Sequence, residues 1–423
     1  MIMGRGNDIG KDRRMGGKAL CKGAFVSIAF VASLAASGST APQVSNVSIT
    51  QHAVTHLVTV TYEIDKPAVV TMDVTTNGVS IGGENLWYQA GDVNRLVKDA
   101  AGTKTITWQP DKAWPGKFTD PGVEVRAVVT AWATNAPPDY MAVDLAAKSN
   151  VTYYACAEAV PYGVTNDLYK TTSLVMRKIP AGQVVWNMGS AGSAHKILIS
   201  NDYYLGIYEV TRGQASAAGI STYTTTLTLP HAKMQFNNIR GQNSWPNNPA
   251  QGNYSGGYLG TLRTRTGVRF DLPTRAQWEF ACRAGSGYTL YASKSSPMGQ
   301  DAANTSSDTY CNSISWNKNN SGSAAKPVGE KIPNLWGLYD MIGNVWEMVL
   351  DWYGGTITWD DSGVTTDLPG APSGTNSQRY ICGGTGVGSY AVAVPTTLSQ
   401  AGQPCNQSFD STGWRLWAPC EAK

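Results

Sequence analysis

Charge is scarce in this chain. Asp, Glu, Lys and Arg make up 15% of its 423 residues, and there are only 4 histidines. Near the N-terminus the six basic residues Arg5, Lys11, Arg13, Arg14, Lys18 and Lys22 stand against Asp8 and Asp12, a net of +4. Subtracting that from the overall +3 leaves the remainder at −1. Without a basic stripe there is no electrostatic footprint for DNA or RNA. Cysteine and histidine do not cluster: there is no CxxC and no spacing of zinc type. His52 and His56 lie in an alternating, strand-like stretch, where positions four apart sit about 13 Å from each other, too far for one ion. The apolar run at 24–36 is too short to span a bilayer comfortably.

That run instead completes an export signal over residues 1–38: a basic leader, an apolar centre, and the small residues Ala36, Ser37 and Gly38 as a cleavage site. An uncleaved anchor is the alternative, and Met15 offers a second start. Export implies a secreted, periplasmic or cell-surface protein. Cys21 would leave with the signal. Cys156, Cys282, Cys311, Cys382, Cys405 and Cys420 remain, widely spaced. Disulfides are then permissible, but sequence cannot choose their pairing.

At this length two domains are expected. The 42% apolar content describes a folded chain, and 45 glycines with 20 tyrosines and 14 tryptophans suggest β structure with long ordered loops. Over 39–147 the runs "VSNVSITQ", "HLVTVTYEI", "AVVTMDVTT", "KTITWQP" and "VEVRAVVTAWA" alternate with period two between turn residues, the pattern of a small immunoglobulin- or fibronectin-like sandwich. Its default role is spacer or adhesion element. A polar linker over 148–170 leads to a second domain over 171–423. The expected class is therefore α+β, a β-sandwich followed by a loop-rich domain.

In the second domain "LVMRKIPAGQVVWNMGS" reads as a strand pair with a turn at Pro180. Two short helices are predicted by capping boxes: Thr211 with Gln214, ending at Gly219, and Thr274 with Gln277, ending at Gly285. In the second helix Trp278, Ala281 and Cys282 share one face. Ten of the tryptophans follow Pro180, so buried indoles are expected to pin the loops.

The stretch "NLWGLYDMIGNVWEMVLDWYGG" at 334–355 is the densest in chemistry. Glycines let carbonyls converge, Asp340, Glu347 and Asp351 supply anionic oxygens, and Trp336, Trp346 and Trp352 wall out water, as in an irregular loop around a calcium ion. The residues are equally consistent with a core segment whose acids pair with nearby arginines.

The ordered motifs "YLGIYEVT", "DLPTRAQWEFACRAG", "KPVGEKIPNLWGLYDMIGNVWEM", "DWYG", "CGGT" and "TGWRLW" resemble the formylglycine-generating enzyme family, also called sulfatase-modifying factors, across more than half the chain. The resemblance implies a loop-rich variant of the C-type lectin fold. It implies a structural calcium held by the side chains at Asp340 and Glu347 and the carbonyls at Gly343 and Val345, whereas a second calcium near Asn304 has no nameable ligands here.

The family oxidises a substrate cysteine using copper held by two cysteines after "GGS", since soft Cu(I) selects thiolates. Counting forward in the family's pattern, those positions land near Gly388 and Ala393 in this chain, while Cys382 precedes the motif and Cys405 lies about a dozen residues late. Iron-dependent relatives need a histidine cluster that four dispersed histidines do not supply.

A third behaviour on this fold is ligand binding through the interval between "GGS" and the final arginine motif. Here that interval, 386–412, is small, hydroxylated and aromatic. Ser389, Tyr390, Asn406, Gln407 and Phe409, with Trp352 and Tyr353 nearby, suit an adaptable surface for a protein or glycan ligand. The expectation is a calcium-stabilised binding protein. The alternative is an active copper oxidoreductase of the formylglycine-generating type, acting on a sulfatase cysteine, with its thiols moved to Cys382 and Cys405.

Overall fold

The computed structural model describes residues 41–115, 122–147, 150–189, 194–241, 245–246, 251–253, 256–285, 309–360, 363–374, 377–388 and 400–423. The expected signal, Asn304, Ala393, Ser389 and Tyr390 lie outside them.

The N-terminal strands form two facing sheets. One runs Val44–Gln51, Val58–Ile64, Lys104–Trp108, Gln89–Gly91 in space; the other centres on Ala68–Thr76, flanked by Val79–Ser80, Arg95–Val97 and Val125–Trp132. Period-two alternation puts Val58, Val60, Tyr62 and Ile64 on the inner face of one sheet, opposite Ala68, Val70, Met72 and Val74 of the other. His52 and His56 are not on a strand. They sit in the connection after the first one, where the His56 amide donates to the His52 carbonyl at 2.9 Å. His52 Nδ1 accepts from the Val54 and Thr55 amides, and His56 Nδ1 lies 2.9 Å from Asp111 Oδ2, so Nδ1 of each ring is already engaged locally.

The sandwich is shorter than its sequence pattern suggests, and the expected linker is not a linker. Tyr140–Asp144 and Asn150–Tyr154 join Ser173–Ile179, Tyr203–Gly206 and Trp417–Pro419 in one five-stranded antiparallel sheet of the second domain. A β-branched, aromatic run reads as a strand wherever it pairs, and sequence alone does not assign it to a sheet. The two halves are also packed together. Val69, on the outer face of the sandwich, shares a core with Met141, Val143, Val151 and Tyr153, and the Tyr153 amide donates to the Asn94 carbonyl at 2.8 Å.

The five-stranded sheet is buried on both faces: Leu174, Met176 and Tyr204 enter one core, Val175, Ile179, Tyr203 and Leu205 the other. The strand pair expected around Pro180 is resolved differently. Ser173–Ile179 stays in this sheet, while Val184–Met188 leaves to pair with His195–Ile199. Both capping boxes form as expected, on Arg212–Ala217 and Arg275–Arg283, with Thr and Gln side chains exchanging backbone hydrogen bonds. The helices Phe236–Arg240 and Gly257–Thr266 have no side-chain cap hydrogen bond, and these two and Thr309–Ile314 each bury an apolar pair three apart: Phe236 and Ile239, Leu259 and Leu262, Cys311 and Ile314. A four-stranded sheet, in the order Gln400–Pro404, Gln378–Cys382, Trp346–Trp352, Thr412–Trp414, carries the candidate site.

Candidate functional site

Residues 334–345 are irregular, as expected, but Trp346–Trp352 is a strand. Trp346, Met348 and Leu350 enter one core and Val349 the other, so no alternation marks it in the sequence. This strand separates the three carboxylates. Glu347 pairs with Arg415: Nη2 donates to Oε1 at 2.5 Å and Nε to Oε2 at 2.9 Å, both side chains being buried. The Trp278 indole N–H donates to Oε2 at 2.7 Å. Arg415 also donates to the carbonyls of Gly206 and Tyr339. Asp351 accepts the Arg275 amide at 2.6 Å, at the first turn of the second capped helix. For these two acids, structural partners account for the burial.

Asp340 differs. Its Oδ2 accepts the Gly329 amide at 2.7 Å, but its Oδ1 is buried without a hydrogen-bond partner among the described residues. Burial pushes its carboxyl up to about 6. A further acid, missed in the sequence, faces the same cluster. Glu209, fully buried, accepts from Asn344 Nδ2 at 2.7 Å and the Val345 amide at 3.1 Å, and burial with the nearby Asp340 and Glu347 pushes it well above the carboxylate range. Its only signal was its place in "YLGIYEVT". Three carboxylates thus surround one guanidinium in a dry core, an arrangement electrostatically suited to one more cation. Among the described residues no three His, Cys, Asp or Glu side chains converge as a ligand set, so any such ion would draw on backbone carbonyls as well.

The backbone around Asp340 is tightly fixed. The Gly343 amide donates to the Gly383 carbonyl and the Asn344 amide to the Trp316 carbonyl, both at 2.8 Å, while the Asn344 carbonyl accepts from the Thr385 hydroxyl at 2.8 Å. The "CGGT" turn is therefore built directly onto the acid cluster. Gly388, near which the resemblance places the first copper thiol, is exposed, and no atom of the described residues lies within 4 Å of where its side chain would begin.

Cys382 and Cys405 do not meet. Strand Gln378–Cys382 pairs antiparallel with Gln400–Pro404, Cys382 opposite Gln400 and Gln378 opposite Pro404, and the Cys405 amide donates to the Ser377 carbonyl. The two thiols thus lie at opposite ends of the strand pair, about 16 Å apart along it. They also belong to separate cores, and burial pushes both thiols up. One copper ion cannot bridge them.

The same register places the described part of the expected ligand surface. Trp352 and Tyr353 stand beside Arg379 and Gln378, at the end of the sheet from which Asn406 and Gln407 turn outward. Ser389 and Tyr390 lie outside the described residues. Asn406 and Gln407 are exposed and Phe409 half-buried. Trp352 is covered by the Arg379 guanidinium 3.5 Å from its ring, and Tyr353 packs against Tyr380 with Gly402 beside its ring. These two aromatics brace the sheet end.

Ser221 and His231 place a hydroxyl 3.0 Å from an imidazole Nε2. Trp414 donates to Nδ1 at 3.4 Å, which leaves the ring proton on Nε2 and makes it a donor to the serine rather than its base. Burial lowers this histidine to about 4.

The model of the sulfatase-modifying factor enzyme 1-like domain matches residues 166–417, more than half of the sequence. The chain belongs to this family. It is 39% identical to the formylglycine-generating enzyme of Mus musculus over 84 residues, 19% of this chain and 22% of that protein. It is 33% identical to that of Thermomonospora curvata over 115 residues, 27% and 37% of the two. The matches thus span well under half the length of these relatives. Among solved structures, Treponema denticola variable protein 1 aligns with a TM-score of 0.42 at 21% identity, covering 61% of this chain and 98% of that one. For PvdO from Pseudomonas aeruginosa the values are 0.39, 20%, 58% and 94%.

Proposed function

We propose that this sulfatase-modifying factor is an exported binding protein that has kept the family scaffold without its copper chemistry. The observation that carries this reading is the absence of a thiol pair: glycine and alanine occupy positions 388 and 393, and the register holds Cys382 and Cys405 at opposite ends of two strands. Soft Cu(I) needs sulfur ligands within one coordination sphere. The ligand surface is assigned to the exposed turn at Asn406 and Gln407, and the ligand to a protein or glycan. Among the described residues no helix is long and apolar enough to cross a membrane. The test is an oxygen-electrode assay of copper-loaded protein with a cysteine peptide of sulfatase type. The expected rate equals that of free copper, and enzyme-dependent oxygen uptake with peptide oxidation would restore the catalytic reading.

The same proposal includes a structural calcium at the acid cluster. Asp340, Gly343, Val345 and Glu347 would hold it, with Asp340 Oδ1 as its unshared side-chain oxygen and Glu347 divided between the ion and Arg415. Such an ion binds only the folded chain, so a chelator should lower the melting temperature of wild type and leave Asp340→Ala unaffected. An unchanged wild-type melt in chelator would remove calcium from the account.

A further inference from the structure

A cavity lies where the sandwich meets the second domain, far along the chain from the acid cluster. About 100 Å³ is open in it, and its lining includes Thr71, Asp73, Gln89, Asn94 and Trp132 from the sandwich, and Ala155 from the second domain. A water molecule takes about 30 Å³ of liquid, so the space holds several waters or one small organic group. Ala155 is exposed, which places the mouth on the second-domain side.

The lining has a definite chemistry. Among the described residues Asp73 is its one charged side chain. Its Oδ1 accepts from the Val74 amide and the Ser80 hydroxyl, at 2.7 and 2.9 Å. Gln89 and Asn94 hold each other and the Met72 carbonyl only through long contacts of 3.4 Å, so both amides are free to turn toward a guest. Trp132 donates its indole N–H to the Thr71 hydroxyl at 2.9 Å, which fixes the indole in the wall. A carboxylate, two amides and an indole, with no cation among the described residues of the lining, select against anions and favour a compact positive charge.

We propose that this junction cavity binds a primary alkylammonium group, with Asp73 as counter-ion and Trp132 as its apolar wall. Because residues of both domains line it, occupancy would also reinforce their contact, and ligand should raise the melting temperature of the whole chain.

The experiment is calorimetric titration of the full chain with n-butylammonium chloride, with n-butanol as the neutral isostere at matched ionic strength. Saturable ammonium binding at least tenfold tighter than the alcohol is expected. Asp73→Asn, which keeps an oxygen for Val74 and Ser80, should lose at least tenfold in affinity. Ala155→Leu, which narrows the mouth without touching charge, should lose it as well, and an unchanged wild-type-like melt of either variant shows that folding is intact. A parallel titration with Nα-acetyl-lysine amide separates sources: binding there points to a lysine side chain of a partner, and binding of butylammonium alone to a free amine. No saturation in wild type, equal affinity for the alcohol, or undiminished ammonium binding by both variants would overturn the proposal.

Discussion

Replacing Arg415 with alanine should cost about 3–5 kcal/mol of stability, because it strands a buried carboxylate. Glu347 receives two guanidinium nitrogens and one indole N–H. Without Arg415 only the indole remains, beside Asp340 and Glu209, and the carbonyls of Gly206 and Tyr339 lose a donor. In a second-site test, Glu347→Gln added to Arg415→Ala should recover part of the loss, since it removes the orphaned charge while keeping an acceptor for Trp278. Urea unfolding of the three variants measures both effects. A loss below about 1 kcal/mol for Arg415→Ala would mean that Glu347 is neutralised some other way.

The second large effect is at Gly343. Its φ is +85°, and an added Cβ would lie 2.3 Å from the Trp316 carbonyl oxygen, which is backbone and cannot swing aside. That carbonyl accepts the Asn344 amide, so relieving the clash pulls apart the loop that carries Asp340. Gly343→Ala should cost about 2–4 kcal/mol, combining the left-handed backbone penalty with loss of a buried hydrogen bond. Gly388→Ala is the matched control. Its φ is also positive, at 57°, but nothing among the described residues lies within 4 Å of its added Cβ, so only the backbone penalty of about 1 kcal/mol applies. Equal losses at the two positions would show that the Trp316 contact does not constrain the loop.

The parts of this protein that were legible are those encoded locally. A capping box depends on residues three apart, so Thr211 with Gln214 and Thr274 with Gln277 announced their helices without tertiary information. The sandwich strands alternate because one face meets a core, and they were found for that reason. Trp346–Trp352 was missed as a strand because both its faces are buried, and alternation disappears when water touches neither side. The boundary was misplaced because Tyr140–Asp144 pairs forward with Ser173–Ile179, a choice that sequence pattern does not encode.

The candidate site divides along the same line. That Asp340, Glu347 and Asp351 are buried followed from their company of tryptophans. That Glu347 answers to Arg415, 68 positions on, and that Glu209 joins the cluster from the other end of the domain, are facts of long-range packing. The separation of Cys382 from Cys405 needed only strand register, which a hairpin of uncertain loop length leaves open in sequence.

The central claim is that a sulfatase-modifying scaffold persists here without the pair of thiolates that would grip copper. A competition titration of reduced full-length protein against a chromophoric Cu(I) chelator tests it most directly. The account predicts that the chain withdraws no stoichiometric copper from the chelator and that Cys382→Ser with Cys405→Ser changes nothing. One Cu(I) held per chain, and lost in that double variant, would contradict it.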